Sequence, residues 1–150
     1  MKIFIGSDHA GFELKNKLVT YLQELGYEVE DKGAVKYDQQ DDYPDFVKPV
    51  AQAVSEDKNA KGIIIGGSGQ GEAICANRFN GIRAFEYYAP SREEISIVKD
   101  SRDHNDSNII SLGARFLSED EAFEAVKLWL ETPFSGDERH KRRIEKIDRK

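Results

Sequence analysis

Cysteine is nearly absent from this sequence. Cys75 stands alone, which excludes an intramolecular disulfide and is expected of a chain kept in a reducing compartment. Methionine and tryptophan also occur once each, as Met1 and Trp129, and neither carries a functional signal. There is no apolar run of about 18 residues, so no membrane-spanning helix and no membrane partner are expected. Met1-Lys2 leads straight into a strand-like run, without a charged-then-apolar leader or a small-residue cleavage site. A cytoplasmic location is therefore expected. Repeats, low-complexity tracts and long linkers are missing too. What is present is 150 residues with 39% hydrophobic content, which suits a single domain, 1–150, with its own core. The net charge of −6 argues against a nucleic-acid partner, but it is uneven. Residues 136–150 carry a net +3 and the remainder −9, so a basic C-terminal segment follows an acidic body.

Read in order, the chain alternates short apolar runs with helical spacing. Lys2 to Ile5 reads as a first strand ended by Gly6, and Ser7 or Asp8 can cap the helix that follows. Phe12, Leu14, Leu18, Val19, Leu22 and Leu25 recur at helical spacing until Gly26. Tyr27 to Asp31 alternates like a second strand, and a polar loop then runs to a helix from about Asp45. Ile63 to Ile65 is a buried third strand, followed by a helix over Glu72 to Arg78. Gly81 to Glu86 is a fourth strand, and Pro90-Ser91 opens the next helix. Ser107 to Leu112 is a fifth strand. Ser118 to Glu121 is a capping box, and the segment after Gly136 forms a short last helix. Five strands alternating with helices predict an α/β three-layer sandwich around a parallel sheet. Ligands in such folds bind at the C-terminal edge of the strands, near a switch in strand order.

The densest chemistry lies in Lys61 to Arg78, where Gly66, Gly67, Gly69 and Gly71 are interrupted only by Ser68 and Gln70. Strand, glycine loop and helix start together expose peptide N–H groups to an anion, or to a transition state developing negative charge. An empty βα turn is the plain alternative. The loop is not a P-loop, because Gly71 is followed by Glu72 and Ala73 rather than Lys-Ser/Thr. It also misses the dinucleotide spacing by one position. A carboxylate at Glu72 would repel a pyrophosphate but suits a general base facing a neutral carbon acid. Other candidates are His9 beside Asp8 at the end of the first strand, and His104 in a polar run. Arg139 and Arg143 share a helix face and are able to grip a phosphate, and Arg115 follows the fifth strand. Cys75 reads as a small core residue, and His140 as part of a solvated basic face.

Six pieces in order resemble the type B ribose-5-phosphate isomerase family, which also contains isomerases of galactose 6-phosphate and allose 6-phosphate. They are Gly6 to Phe12, Asp42-Tyr43-Pro44, Gly66 to Glu72, Ala76-Asn77-Arg78, His104-Asn105-Asp106 and Arg139 to Arg143. The resemblance spans Lys2 to about Ile147. It implies a Rossmann-like domain that forms a homodimer, with a tetramer left open, in which the C-terminal helix reaches the partner subunit and each active site is shared. It implies no metal and no organic cofactor. Many members carry a cysteine base at the position of Gly66. This sequence instead matches the branch with Gly-Gly-Ser-Gly-x-Gly-Glu, so Glu72 is the implied base.

The reaction so implied interconverts ribose 5-phosphate and ribulose 5-phosphate through a cis-enediolate, within carbohydrate metabolism of the pentose phosphate kind. His104 and His9 are the candidates for opening the sugar ring, with His104 favoured in one role. Asp8 orients or bonds a hydroxyl. Gly67, Ser68, Gly69 and Gly71 would stabilise the enediolate, and Tyr43 and Asn105 would contact the sugar. Arg139 and Arg143 of the partner chain, with Arg115 or His9, would hold the phosphate. Two other classes remain open on the residues alone. One is a non-catalytic sugar-phosphate-binding protein of the same fold; the other is a hydrolase using Ser68, whose surroundings lack the nucleophile-elbow pattern. A six-carbon sugar phosphate also remains open as substrate.

Overall fold

The computed structural model describes residues 1–88 and 95–149. The strands are β1 (Lys2–Ser7), β2 (Glu28–Asp31), β3 (Lys61–Gly66), β4 (Ala84–Tyr87) and β5 (Ile109–Gly113). They form one parallel sheet in the order β2-β1-β3-β5-β4. The helices are α1 (Phe12–Glu24), α2 (Pro44–Glu56), α3 (Gln70–Ala76), α4 (Ser96–Asn105), α5 (Glu119–Glu131) and α6 (Glu138–Ile144). A short 3-10 turn, His9–Gly11, joins β1 to α1. The expected α/β three-layer arrangement is found. From β1 the chain moves outward to β2 and then returns across to β3. The switch in strand order therefore lies between β1 and β3, where a crevice opens at the C-terminal ends.

Alternation along the strands separates two cores. Ile3, Ile5, Ile63, Ile65, Ile110 and Leu112 face one side with Leu18 and Leu22 of α1, Val98 of α4, and Val126 and Trp129 of α5. Phe4, Ile64 and Ile109 face the other, against Val47, Val50 and Val54 of α2 and Ala76 of α3. The central β1, β3 and β5 are covered on both faces, which is why their apolar runs are continuous. Trp129 is fully buried, and its indole N–H finds the Ser107 hydroxyl at 2.9 Å. Lys15 is buried as well and pairs with Asp31.

The expected Ser118–Glu121 capping box is present in both directions: Glu121 N donates to Ser118 Oγ and Ser118 N to the Glu121 carboxylate. Several boundaries differ by a few residues from the sequence expectation, and two of the shifts have a visible cause. Strand four begins at Ala84 rather than Gly81, because Gly81 sits at φ 76° in a turn. The helix after the glycine loop begins at Gln70 and ends at Ala76 rather than Arg78. There Asn77 turns the chain, its side chain pairing with both backbone groups of Ala84. The run Asp103-His104-Asn105, read from the sequence only as polar, is the last turn of α4. The Pro90-Ser91 helix start lies outside the described residues.

Helix α2 lies so close to the sheet that position 62 accepts only glycine. A Cβ there would come within 2.8 Å of Ile109 and 3.0 Å of Val50. Gly62→Ala is therefore expected to cost about 1–3 kcal/mol by overpacking, read as a lower denaturant midpoint with an unchanged slope.

Candidate active site

At the C-terminal edge of the sheet, the loop leaving β3 is stitched to the exit of β5. Ala114 N donates to Gly66 O at 2.9 Å, Arg115 N to Gly67 O at 3.0 Å, and Ser111 Oγ to Gly69 O at 2.6 Å. Gly69 has φ 82°, a conformation that suits glycine, and it starts α3. Ser68 Oγ accepts from Gln70 N at 3.3 Å. The loop is thus held rigidly on its β5 side.

Glu72 stands in the first turn of α3 and is 4% exposed. Its carboxylate lies over Gly66, in the space that any side chain at position 66 would fill. Burial pushes its pKa up, its own backbone N–H draws it down, and the charge of Asp8 adds to the rise. Among the described residues no cation contributes, and desolvation is the main cause of the rise. Tyr43 packs on the same turn: a Cβ at Gly71 would meet its ring carbon Cζ at 2.7 Å. The Arg115 guanidinium lies against Gly67, where a Cβ would come within 3.0 Å of it.

The β1 exit supplies the facing wall. Asp8 caps the 3-10 turn by accepting from Ala10 N at 3.0 Å, and burial raises its pKa. Gly11 packs that turn directly on Ile65. His9 Nδ1 lies 2.6 Å from Asp41 Oδ1, and the same oxygen accepts from His9 N at 3.0 Å. His9 Nδ1 and carboxylate oxygens of Asp8 and Asp41 lie within 4.8 Å of one another, a spacing a divalent cation would accept. The His9–Asp41 hydrogen bond already accounts for their closeness. Asp41 is a residue that the sequence did not single out. It stood in the polar run Asp41-Asp42-Tyr43-Pro44, but its pairing with His9 depends on how the loop folds back.

Seven predicted positions or groups thus converge at one edge: Asp8, His9, Tyr43, the Gly67–Gly71 loop, Ser68, Glu72 and Arg115. Four others do not. His104 and Asn105 end α4, ahead of β5, and so belong to the opposite edge of the sheet. Arg139 and Arg143 lie on α6, which is docked beside that same turn. The His104 and His140 rings stack at 4.7 Å, and Ser135 donates twice to Asp103 O. His140 is buried in this contact, not on the solvated face expected of it. Asp106 closes the turn at φ 45°, its carboxylate shared between Arg102 at 2.7 Å and Arg83 at 3.0 Å. Arg139 and Arg143 are exposed and form no ion pair among the described residues. Cys75 packs against the α2-side core as expected, and burial raises its thiol pKa.

Among the described residues no helix is long and apolar enough to cross a membrane. Residues 3–147 match the sequence profile of the family described as Ribose/Galactose Isomerase. A curated relative from Mycolicibacterium paratuberculosis, named ribose-5-phosphate isomerase B, is 38% identical over 97% of this chain and 88% of its own length. One of the same name from Escherichia coli is 40% identical over 97% and 93%. A crystal structure of ribose-5-phosphate isomerase B from Mycoplasma genitalium with bound ribulose 5-phosphate superposes with a TM-score of 0.91. It is 35% identical, over 97% of this chain and 93% of that one. The Thermotoga maritima enzyme superposes at 0.89 with 44% identity, over 98% and 97%. With its fold and nearly its whole length matched to these proteins, the chain belongs to the ribose/galactose isomerase family.

Proposed function

We propose that this protein is a cofactor-independent aldose–ketose isomerase that interconverts ribose 5-phosphate and ribulose 5-phosphate, with Glu72 as the carbon base. The observation that carries this reading is the buried Glu72 carboxylate lying over Gly66 beside the glycine loop, with no cation against it among the described residues. A base needs proton affinity, and desolvation supplies it. In the open-chain aldose, Glu72 takes the C2 proton. The C2–H electron pair forms the C1–C2 double bond and the carbonyl oxygen takes the charge. The enediolate is stabilised by peptide N–H groups of the Gly67–Gly71 loop, with Ser68. Return of the proton to C1, with transfer of the O2 proton to O1, forms the C2 carbonyl and the C1 hydroxyl of the ketose. Asp8 and Tyr43 contact the sugar.

Ring opening and phosphate binding need groups that one chain leaves at the far edge. In this reading a homodimer brings His104, Asn105, Arg139 and Arg143 of one subunit to the Glu72 crevice of the other, where Arg115 joins the phosphate site. His104 opens the ring. Support comes from the unpaired arginines of α6 and from apolar side chains left exposed near the crevice, Ile74 at 60% and Phe116 at 59%. A cytoplasmic location accords with the lone cysteine.

Glu72→Gln is expected to lower turnover of ribose 5-phosphate by about 10²- to 10⁴-fold while remaining folded. Assay of wild type and variant without added metal, on ribose 5-phosphate beside allose 6-phosphate and galactose 6-phosphate, checks both base and substrate. Because burial raises the Glu72 pKa, the ionised base accumulates only above the ordinary carboxylate range, so the acid limb of kcat/KM should lie above pH 4.5. The sign for stability is opposite. A folded-state pKa above the unfolded one favours the native state at low pH, a contribution lost as pH rises through the folded value. Glu72→Gln should therefore stabilise the protein at neutral pH, and the gain should shrink as the solution is acidified.

Subunits carrying Glu72→Gln, mixed with subunits carrying Arg139→Ala and Arg143→Ala, should regain activity that neither has alone. Each mixed dimer then holds one intact shared site. Failure of mixed, exchanged subunits to recover activity would place the arginines outside the partner's site.

A further inference from the structure

We infer that Asp41 is the positioning residue of His9, holding its Nδ1–H so that Nε2 is the nitrogen presented to the sugar phosphate. This rests on the isomerase reading for what Nε2 acts on, and on geometry for the rest. A single carboxylate oxygen, Asp41 Oδ1, takes the ring at 2.6 Å and the His9 backbone N–H at 3.0 Å. One contact therefore fixes both where the residue sits and how its ring is turned. The Asp41 side chain is 9% exposed, and its other oxygen, Oδ2, is buried without a partner. Among the described residues both hydrogen bonds to its carboxylate come from His9, reached across 32 residues of chain.

Asp8 does not compete for this role. Its Oδ1 caps Ala10 N, and its Oδ2 stays 3.9 Å from the His9 ring. The Tyr37 ring stands edge-on at 6.3 Å and walls the imidazole on another side. Which nitrogen of a histidine bears the proton follows from the hydrogen bond the other nitrogen makes. A carboxylate at Nδ1 selects the tautomer with Nε2 bare, as in carboxylate–histidine pairs generally. His104 has no comparable anchor. It is 45% exposed, and its carboxylate neighbour Asp103 lies 3.4 Å from Nε2. The two candidate histidines thus differ in kind: one ring is locked from within its own subunit, and the other rests by stacking on His140.

The test uses the full-length protein with labelled histidine. Nitrogen NMR of the wild type should show neutral His9 protonated at Nδ1. Asp41→Ala should lose that preference and lower kcat/KM for ribose 5-phosphate by about 10- to 100-fold. Asp41→Asn, whose amide oxygen still accepts from Nδ1–H, should restore the tautomer and part of the activity. If Asp41 acts through His9, Asp41→Ala combined with His9→Ala should be no slower than His9→Ala alone. The inference is overturned if His9 keeps its tautomer in Asp41→Ala, or if the two losses multiply. Should the wild type turn over none of the three sugar phosphates, the isomerase reading fails, and the tautomer alone decides what Asp41 does. Near-normal turnover of Glu72→Gln would likewise count against the base and leave the Asp41 result standing.

Discussion

Burial of the Glu72 carboxylate without a cation beside it shapes everything around the β1–β3 crevice. Among the described residues only its own backbone N–H offsets the cost of desolvation, and the nearby Asp8 charge adds to that cost. Such a group persists only where the surrounding structure leaves it no alternative. Here the backbone does so. Gly66 leaves room for the carboxylate, Tyr43 packs across Gly71, and the loop is tied to β5 by three hydrogen bonds. The stability given up at Glu72 is the same free energy that raises its basicity, so in the proposed role of this residue activity and stability pull in opposite directions.

The two edges of the sheet have been built differently. The C-terminal edge is an assembled wall of short loops, each anchored by its own side chains: Asp8 on Ala10, Asp41 on His9, Ser111 on Gly69. The opposite edge is a block in which α4, β5, α5 and α6 are knitted together. Arg102 reaches Thr132 O and Ser107 O, Trp129 reaches Ser107, and Ser135 reaches Asp103. The αL turn at Asp106, clamped by two arginines, ends α4 directly after His104 and Asn105. In the proposed dimer each block would be carried as a rigid unit to the other subunit's crevice. Catalysis would then require association even though each chain has two complete cores.

If Glu72 has the proposed role, the alternative bases that the family resemblance implies become intelligible in physical terms. A thiol at position 66 and a carboxylate at position 72 start from different backbone atoms, six residues apart. In this fold the Glu72 side chain ends in the volume a side chain at Gly66 would occupy. Either residue would bring a base to the same place in the crevice, and the two exclude one another sterically. The absence of a side chain at Gly66 and the presence of Glu72 are therefore one feature.

Much of this was legible in the chain itself. Continuous apolar runs marked β1, β3 and β5, and period-3.6 apolar spacing marked α1 and α5, because those elements bury whole faces and leave a strong pattern. The glycine loop with Glu72 was legible because backbone approach and a strand–helix junction need local residues. Boundaries at Ala84 and Ala76 were not, since they are decided by Gly81's turn and by Asn77 pairing with a strand seven residues on. Asp41's bond to His9, His140's burial under His104, and the separation of His104 from Glu72 arise from contacts between distant segments. Local sequence determined which elements form and which chemical groups they carry. Tertiary structure alone decided which groups meet, because strand order and loop return set those distances, and neither leaves a periodic trace in the sequence.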